Sequence, residues 1–174
     1  MRESNESFAE QPLTRRVLKM EEYGENCTRS TQDCHTVELL KECGNGCQMA
    51  QKSVKQAREF VKDQKLNDLL ESYGEKHTEI EKKVIDMLGR YGSSEDNPGK
   101  MAEIGAWMSM EMSMLMHPDE HEAAKKMMDG CNMGIQSVSE YVNKYPDADE
   151  EAHEIAKKLI KVEEDFMEEM KEFV

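Results

Sequence analysis

Two copies of one short stretch decide how this sequence folds. Residues 46–54 read GCQMAQKSV, and residues 130–138 read GCNMGIQSV. Glycine, cysteine, methionine, serine and valine recur at the same offsets, and the second copy follows the first by about half of the chain length. A repeat on this scale indicates a duplicated structural unit, so the two halves of the chain should build similar parts of the fold.

Around both copies, apolar residues follow one another at alternating spacings of three and four, which is typical of amphipathic helices. The pattern predicts four long helices, with Asp33 as the cap of the first, Gly92 as the stop of the second and Pro118 as the first residue of the third. The predicted helices span residues 34–62, 65–91, 118–145 and 148–174.

The turns between these helices predict the topology. Short turns join the helices into two antiparallel hairpins, 34–91 and 118–174. The intervening segment 92–117 is long enough to run back along the bundle, because a 16-residue helix covers roughly 24 Å. We therefore expect an all-α, ferritin-like four-helix bundle over residues 33–174, in which a long helical crossover joins the two hairpins. A simple up-down-up-down bundle is the alternative, and residues 1–32 are expected to form a polar N-terminal arm.

Composition limits the classes of partner. The chain of 174 residues suits one domain, and its net charge of -14 argues against binding to nucleic acid or to an anionic membrane surface. No run approaches the roughly 20 apolar residues of a membrane-spanning helix. The N-terminus lacks the basic and apolar regions of a signal peptide, so we expect a cytoplasmic protein. Its five cysteines are then expected to be reduced thiols, metal ligands or core residues.

Several stretches resemble the ferritin-like superfamily, and in particular the uncharacterised bacterial family called domain of unknown function 2383. They are Gly46-Cys47, Gly130-Cys131, the stretch 69–77 and the stretch 105–108. The resemblance covers about residues 35 to 174 and implies a ferritin-like fold. It does not imply a di-iron site, because cysteines stand where the family pattern has glutamates, and the second helix lacks a Glu-x-x-His pair.

Cysteine, histidine and glutamate residues on the core stripes are candidate metal ligands. Counting back from the turns places Cys131 in one layer with Glu163, and Cys47 in one layer with Glu81. Such a mixed set favours iron, zinc or copper over magnesium or calcium. The alternative is that the cysteines are small packing residues beside glycines, where helices approach closely. The candidate ligands are Cys43, Cys47, His77, Glu81, Cys131 and Glu163; no catalytic residue is predicted.

Methionine occupies every second position near the end of the segment Met101–Met116. On a helix, this spacing distributes the methionines over two faces, so the segment can contact the bundle and a partner at once. The sequence therefore supports two hypotheses. One is a small ferritin-like protein that binds a transition metal or acts in redox and metal homeostasis, and the other is a non-catalytic module that forms a homo-oligomer through Met101–Met116.

Overall fold

Four helices make up almost all of the residues that the structure, a computed structural model, describes, namely 30–94 and 119–174. They are α1 (Thr31–Ala57), α2 (Gln64–Arg90), α3 (Glu120–Lys144) and α4 (Glu150–Met170), and a 3₁₀ turn (Lys171–Phe173) follows α4. These two ranges contain no strand, so the predicted all-α class and the four packed helices are confirmed there. None of the described helices is long and apolar enough to cross a membrane.

The first helix ends earlier than predicted. It stops at Ala57 and not at Lys62. The amides of Glu59 and Phe60 bond to carbonyls three residues back, and these bonds tighten the chain into a turn. The amides of Lys62 and Asp63 then donate to Glu120 Oε1 at 2.7 and 2.6 Å. The non-helical stretch after Ala57 is therefore attached to the start of α3.

Aspartates cap the other three helices. Asp63 accepts a hydrogen bond from the amide of Leu66, and Asp119 and Asp149 accept equivalent bonds at the starts of α3 and α4. The predicted cap Asp33 is wrong, because α1 already begins at Thr31. Asp33 instead lies in the first turn, where a carboxylate interacts favourably with the helix dipole.

Gly92 ends α2 as predicted. Its φ of 59° lies in the left-handed region that glycine enters without a steric penalty. The amide of Ser93 donates to the carbonyl oxygen of Leu88 at 2.9 Å, and the amide of Gly92 donates to the carbonyl oxygen of Gly89 at 3.0 Å. These two bonds form a Schellman motif, which satisfies carbonyls that the helix end would otherwise leave free.

We expect a Gly92→Ala substitution to lower the free energy of unfolding by about 1 kcal/mol, because an L-residue is strained in the left-handed region. Gly89→Ala is the matched control. A Cβ at Gly89 would have no heavy atom within 4 Å, and alanine favours the helix by up to about 1 kcal/mol over glycine. Urea denaturation of both variants checks the prediction. A Gly92→Ala variant as stable as Gly89→Ala would contradict it.

Contacts between the helices define their directions. Ser137 on α3 donates to Glu42 in the first half of α1, while Glu120 at the start of α3 binds the chain just after α1, so these helices are antiparallel. Arg90 pairs with Glu151 at 2.8 Å, which places the end of α2 beside the start of α4. The end of α2 and the start of α3 therefore lie at opposite ends of the bundle.

Four predicted features fall wholly or partly outside the described residues. Of the arm predicted over 1–32, the structure describes only Ser30 and the first two residues of α1. Pro118 and the methionine-rich segment Met101–Met116 lie outside the described residues. The crossover predicted over 92–117 is described only up to Ser94. Assembly through Met101–Met116 thus stays a prediction.

The core consists of two apolar clusters. One contains Cys43 and Cys47 among residues such as Leu40, Val84 and Leu159. The other contains Cys131 and is built from Val54, Leu66, Leu70, Tyr73, Phe166 and Met170, among others. The buried residues follow the apolar stripes that the sequence predicts, with most stripe positions fully enclosed.

Candidate functional site

A buried carboxylate, Glu163 on α4, is the centre of the candidate site. Only 4% of its surface is exposed. The hydroxyl of Tyr73 donates to Glu163 Oε2 at 2.5 Å, and His77 Nε2 lies 3.1 Å from Glu163 Oε1. A charged group at this depth is costly unless it is paired and hydrogen-bonded, and both oxygens of Glu163 meet that condition.

His77 is completely buried and lies within hydrogen-bond distance of Glu163. Its Nδ1 lies 2.9 Å from the backbone oxygen of Tyr73, and a carbonyl oxygen only accepts, so Nδ1 must carry a hydrogen that it donates. A neutral imidazole would then present a bare Nε2 to a carboxylate oxygen. Because two acceptors repel each other, one further proton must lie between His77 and Glu163. A proton between the two side chains would therefore satisfy both facing atoms.

Cys131 on α3 joins this group through Tyr73. Its Sγ lies 3.5 Å from the Tyr73 hydroxyl. Burial, followed by the negative charge of Glu163, raises the pKa of the Cys131 thiol and that of the Tyr73 hydroxyl. Cys131 therefore remains a thiol and donates to the Tyr73 oxygen, whose own hydrogen goes to Glu163. A thiol held in this state is a poor nucleophile, since the reactive species is the thiolate.

Helical spacing and one stacked ring position the group. Tyr73 and His77 are four residues apart on α2 and thus lie on the same face. The Tyr73 ring stacks on Phe166, with 3.9 Å between the ring centroids, and Phe166 lies one turn after Glu163 on α4. Three helices therefore fix the relative positions of the four side chains, which we call the buried centre: Tyr73, His77, Cys131 and Glu163.

A cavity of about 260 Å³ lies between α1 and α3 and reaches the buried centre. Glycine provides part of this space, since a Cβ at Gly134 would approach Glu163 Oε1 to 3.2 Å. Both copies of the repeated stretch contribute to the walls, while Tyr73 and Glu163 border the cavity from the other two helices. The repeat residues in the walls are Gly46, Met49, Ala50, Ser53, Gly130, Cys131, Met133, Gly134, Ser137 and Val138.

The structure brings three of the six candidate ligands together. Cys131, Glu163 and His77 all contact Tyr73 or one another. Counting from the turn at Asp147 thus predicted the shared layer of Cys131 and Glu163 correctly. Their role as metal ligands stays a prediction. Within residues 30–94 and 119–174, no group of three or more His, Cys, Asp or Glu side chains is arranged to hold a metal ion.

The other three candidates lie elsewhere on the described helices. Cys43 and Cys47 are fully buried in the other apolar cluster, and burial raises the pKa of Cys43 to about 12. Glu81 accepts a hydrogen bond from Gln51 at 2.7 Å. The shared layer of Cys47 and Glu81 stays a prediction. Gln51 follows Cys47 by one turn, whereas the packing of Val54 against Gly74 agrees with the predicted register of α1 against α2.

Two features were missed by sequence reasoning. Tyr73 was recognised only as a stripe residue, although its position one turn before His77 marks it as a neighbour of any site that His77 builds. The cysteines were expected to be reduced, and this is correct for Cys43, Cys47 and Cys131 but not for Cys34, which is disulfide-bonded.

Comparisons with known proteins found no similar family, protein or structure: no family model, no curated protein and no solved structure matches this chain.

Proposed function

We propose that this chain is a ferritin-like protein that binds one transition-metal ion at its buried centre. The observation that carries the proposal is the buried pair of His77 and Glu163, with Cys131 one hydroxyl group away. Imidazole, carboxylate and sulfur are the ligands that iron, zinc and copper use in proteins. A fold alone does not require such a pair, because apolar residues of similar volume usually give an equal or higher stability.

The proton between His77 and Glu163 supports this assignment. Metal ligands must lose their protons before they bind, and an ion that replaced the shared proton would meet the same two atoms. The hydroxyl of Tyr73 lies between Glu163 and Cys131, so it must leave this position before all three side chains bind one ion. Gly134 leaves room beside Glu163 for such an adjustment.

The helix directions support the ferritin-like part of the proposal. The end of α2 and the start of α3 lie at opposite ends of the bundle, as two hairpins joined by a crossover require. An up-down-up-down bundle would place these two points at the same end. The duplicated stretch agrees with this arrangement, since its copies occupy α1 and α3 in the two hairpins.

Elemental analysis of anaerobically purified protein tests the proposal. After reconstitution with iron, zinc or copper, we expect one metal ion per chain in the wild type and loss of that ion in Glu163→Gln and in His77→Phe, because each removes a ligand atom. Glu164→Gln is the control, since Glu164 is the exposed neighbour of Glu163.

Circular dichroism of each variant shows whether the helices are retained. A wild-type protein that takes up none of the three metals would overturn the proposal, as would a Glu163→Gln variant that is folded and still fully loaded. Cys131→Ala and Cys47→Ala, compared in the same assay, separate a sulfur ligand at the buried centre from a packing residue in the other cluster.

A further inference from the structure

The cavity beside the buried centre reaches from the surface to a buried carboxylate. Met133, which is 42% exposed, and Glu163, which is only 4% exposed, both line it. A Cβ at Gly130 in its wall would have no heavy atom within 4 Å, so neighbouring side chains do not fill this space. A cavity of about 150 Å³ can hold a benzene ring. The volume of about 260 Å³ found here therefore accommodates a ring with a short polar substituent.

Two carboxylates approach the same short part of α3. Ser137 on this helix donates to Glu42 of α1. One turn earlier, a Cβ at Gly134 would lie 3.2 Å from Glu163 Oε1, so this oxygen faces the glycine. Residues three apart lie on the same face of a helix, about 4.5 Å apart along its axis. The carboxylates of Glu42 and Glu163 thus border one part of the cavity, from α1 and from α4.

Most of the remaining wall is apolar. Met49 and Ala50 on α1 and Met127 on α3 contribute uncharged side chains, and the glycines expose only backbone. Among the described residues, no lysine, arginine or histidine lines the cavity. The cavity therefore combines two negative groups with an apolar surface, which suits a ligand that has a positive group and an apolar body.

We infer that this cavity binds a small primary amine, whose ammonium group lies between Glu42 and Glu163 and whose body lies against the methionines of the wall. An ammonium group has three N–H donors, and a carboxylate oxygen can accept more than one hydrogen bond. The ligand can therefore donate to Glu163 Oε1 while that oxygen keeps its contact with His77. Methionine side chains adapt to irregular shapes and make favourable contacts with aromatic rings. The net charge of -14 also attracts cations to this protein.

Calorimetric titration of the full chain with three probes of one shape tests the inference, with a chelator present throughout. The probes are benzylamine, benzyl alcohol and benzoate, which differ in the charge of the group attached to the ring. We expect benzylamine to bind at least about tenfold more tightly than benzyl alcohol, because hydrogen bonds between charged groups are stronger than those of neutral groups. Benzoate should not bind, since its carboxylate would lie beside two others.

Gly130→Leu shows whether the probe occupies the cavity. The leucine side chain would extend from a position where a Cβ has no neighbour, so the helix should be retained and benzylamine binding lost. Gly89→Leu is the matched control, because a Cβ there also has no heavy atom within 4 Å and Gly89 does not line the cavity. Circular dichroism checks that both variants are folded.

Glu42→Gln shows where the ammonium group lies. This variant should bind benzylamine about tenfold more weakly and benzyl alcohol nearly as well as the wild type, because only the charge is removed. Glu38→Gln is the matched control. It changes the net charge by the same amount, but Glu38 is exposed one turn before Glu42 and does not line the cavity.

Any of four results would overturn the inference. The wild type binds no benzylamine, benzyl alcohol binds as tightly as benzylamine, folded Gly130→Leu still binds benzylamine, or Glu42→Gln and Glu38→Gln have equal effects. If Gly130→Leu does not fold, the comparison of the two glutamine variants decides. The inference goes beyond the proposed function, since it requires no metal ion. A protein that binds benzylamine in the expected pattern but takes up no transition metal would support it and overturn only the proposed function.

Discussion

Replacing Glu163 with alanine should lower the free energy of unfolding by about 3–5 kcal/mol, the cost of removing one partner from a buried ion pair. The substitution leaves His77 Nε2 and the Tyr73 hydroxyl, both buried, without their acceptor on Glu163. The matched control Glu164→Ala lies on the exposed face of α4 and should change stability by less than about 0.5 kcal/mol. Urea denaturation in the presence of a chelator measures both values without a contribution from bound metal.

A compensated variant distinguishes the loss of polar partners from a general loss of packing. In Tyr73→Phe/His77→Leu/Glu163→Met, apolar side chains of similar size replace the three polar ones, so no group is left unpaired. We expect this triple variant to be more stable than Glu163→Ala and to equal or exceed the wild type. If Glu163→Ala costs less than about 1 kcal/mol, the buried centre contributes little to folding and its hydrogen bonds are not formed in solution.

The small contribution of a buried His–Glu pair to stability is itself a reason to propose a metal function. A folded protein gains little from a buried His–Glu pair that an apolar core would replace, and groups of this kind concentrate at functional sites. The unusual feature is that the pair lies next to open space. Gly134 and the repeat glycines Gly46 and Gly130 border a cavity where larger side chains would have closed the core.

Much of the fold could be predicted from the sequence because helical periodicity is a local signal. The stripes containing Cys47, His77 and Cys131 are buried as predicted, and Gly92 ends α2 through its backbone conformation alone. The end of α1 could not be predicted in this way. The chain leaves the helix after Ala57, and Glu120, distant in sequence, then binds the amides of Lys62 and Asp63; periodicity contains no information about that contact.

Part of the candidate site was predictable because a short turn joins α3 to α4. Counting from Asp147 paired Cys131 with Glu163, because both helices leave the turn at the same rise per residue. For Cys47 and Glu81 the count stays a prediction, and the non-helical residues between α1 and α2 make it less direct than the count from Asp147. Tyr73 was not recognised as a site residue because tyrosine on an apolar stripe usually packs in a core, and only the distance to Glu163 shows its role.

Alkaline pH should destabilise the protein steeply. Burial, followed by the charge of Glu42, raises the pKa of Cys43 from 9.0 in the unfolded chain to about 12 in the folded one. Below pH 9 both states keep the thiol proton, and the contribution to stability is complete. Above pH 9 the unfolded chain releases this proton while the folded protein retains it, so the free energy of unfolding falls as the pH rises towards 12.

The expected slope approaches roughly 1.4 kcal/mol per pH unit for each buried thiol, which amounts to about 4 kcal/mol for Cys43 over the three units up to pH 12. Cys131 and Tyr73 add to the slope in the same direction, because burial also raises their pKa. Urea denaturation at intervals between pH 8 and pH 11, in the presence of a reductant, measures the slope (a range chosen around the ordinary thiol pKa).

Cys43→Ala separates the contribution of one thiol from general alkaline unfolding. This variant loses some stability at every pH through the space it leaves, but its slope above pH 9 should be shallower than that of the wild type by the share of one thiol. Val84→Ala is the matched control, because Val84 is fully buried in the same cluster and does not titrate. Equal slopes in Cys43→Ala and Val84→Ala would mean that Cys43 ionises as easily in the folded protein as in the unfolded chain, and that water reaches this part of the core.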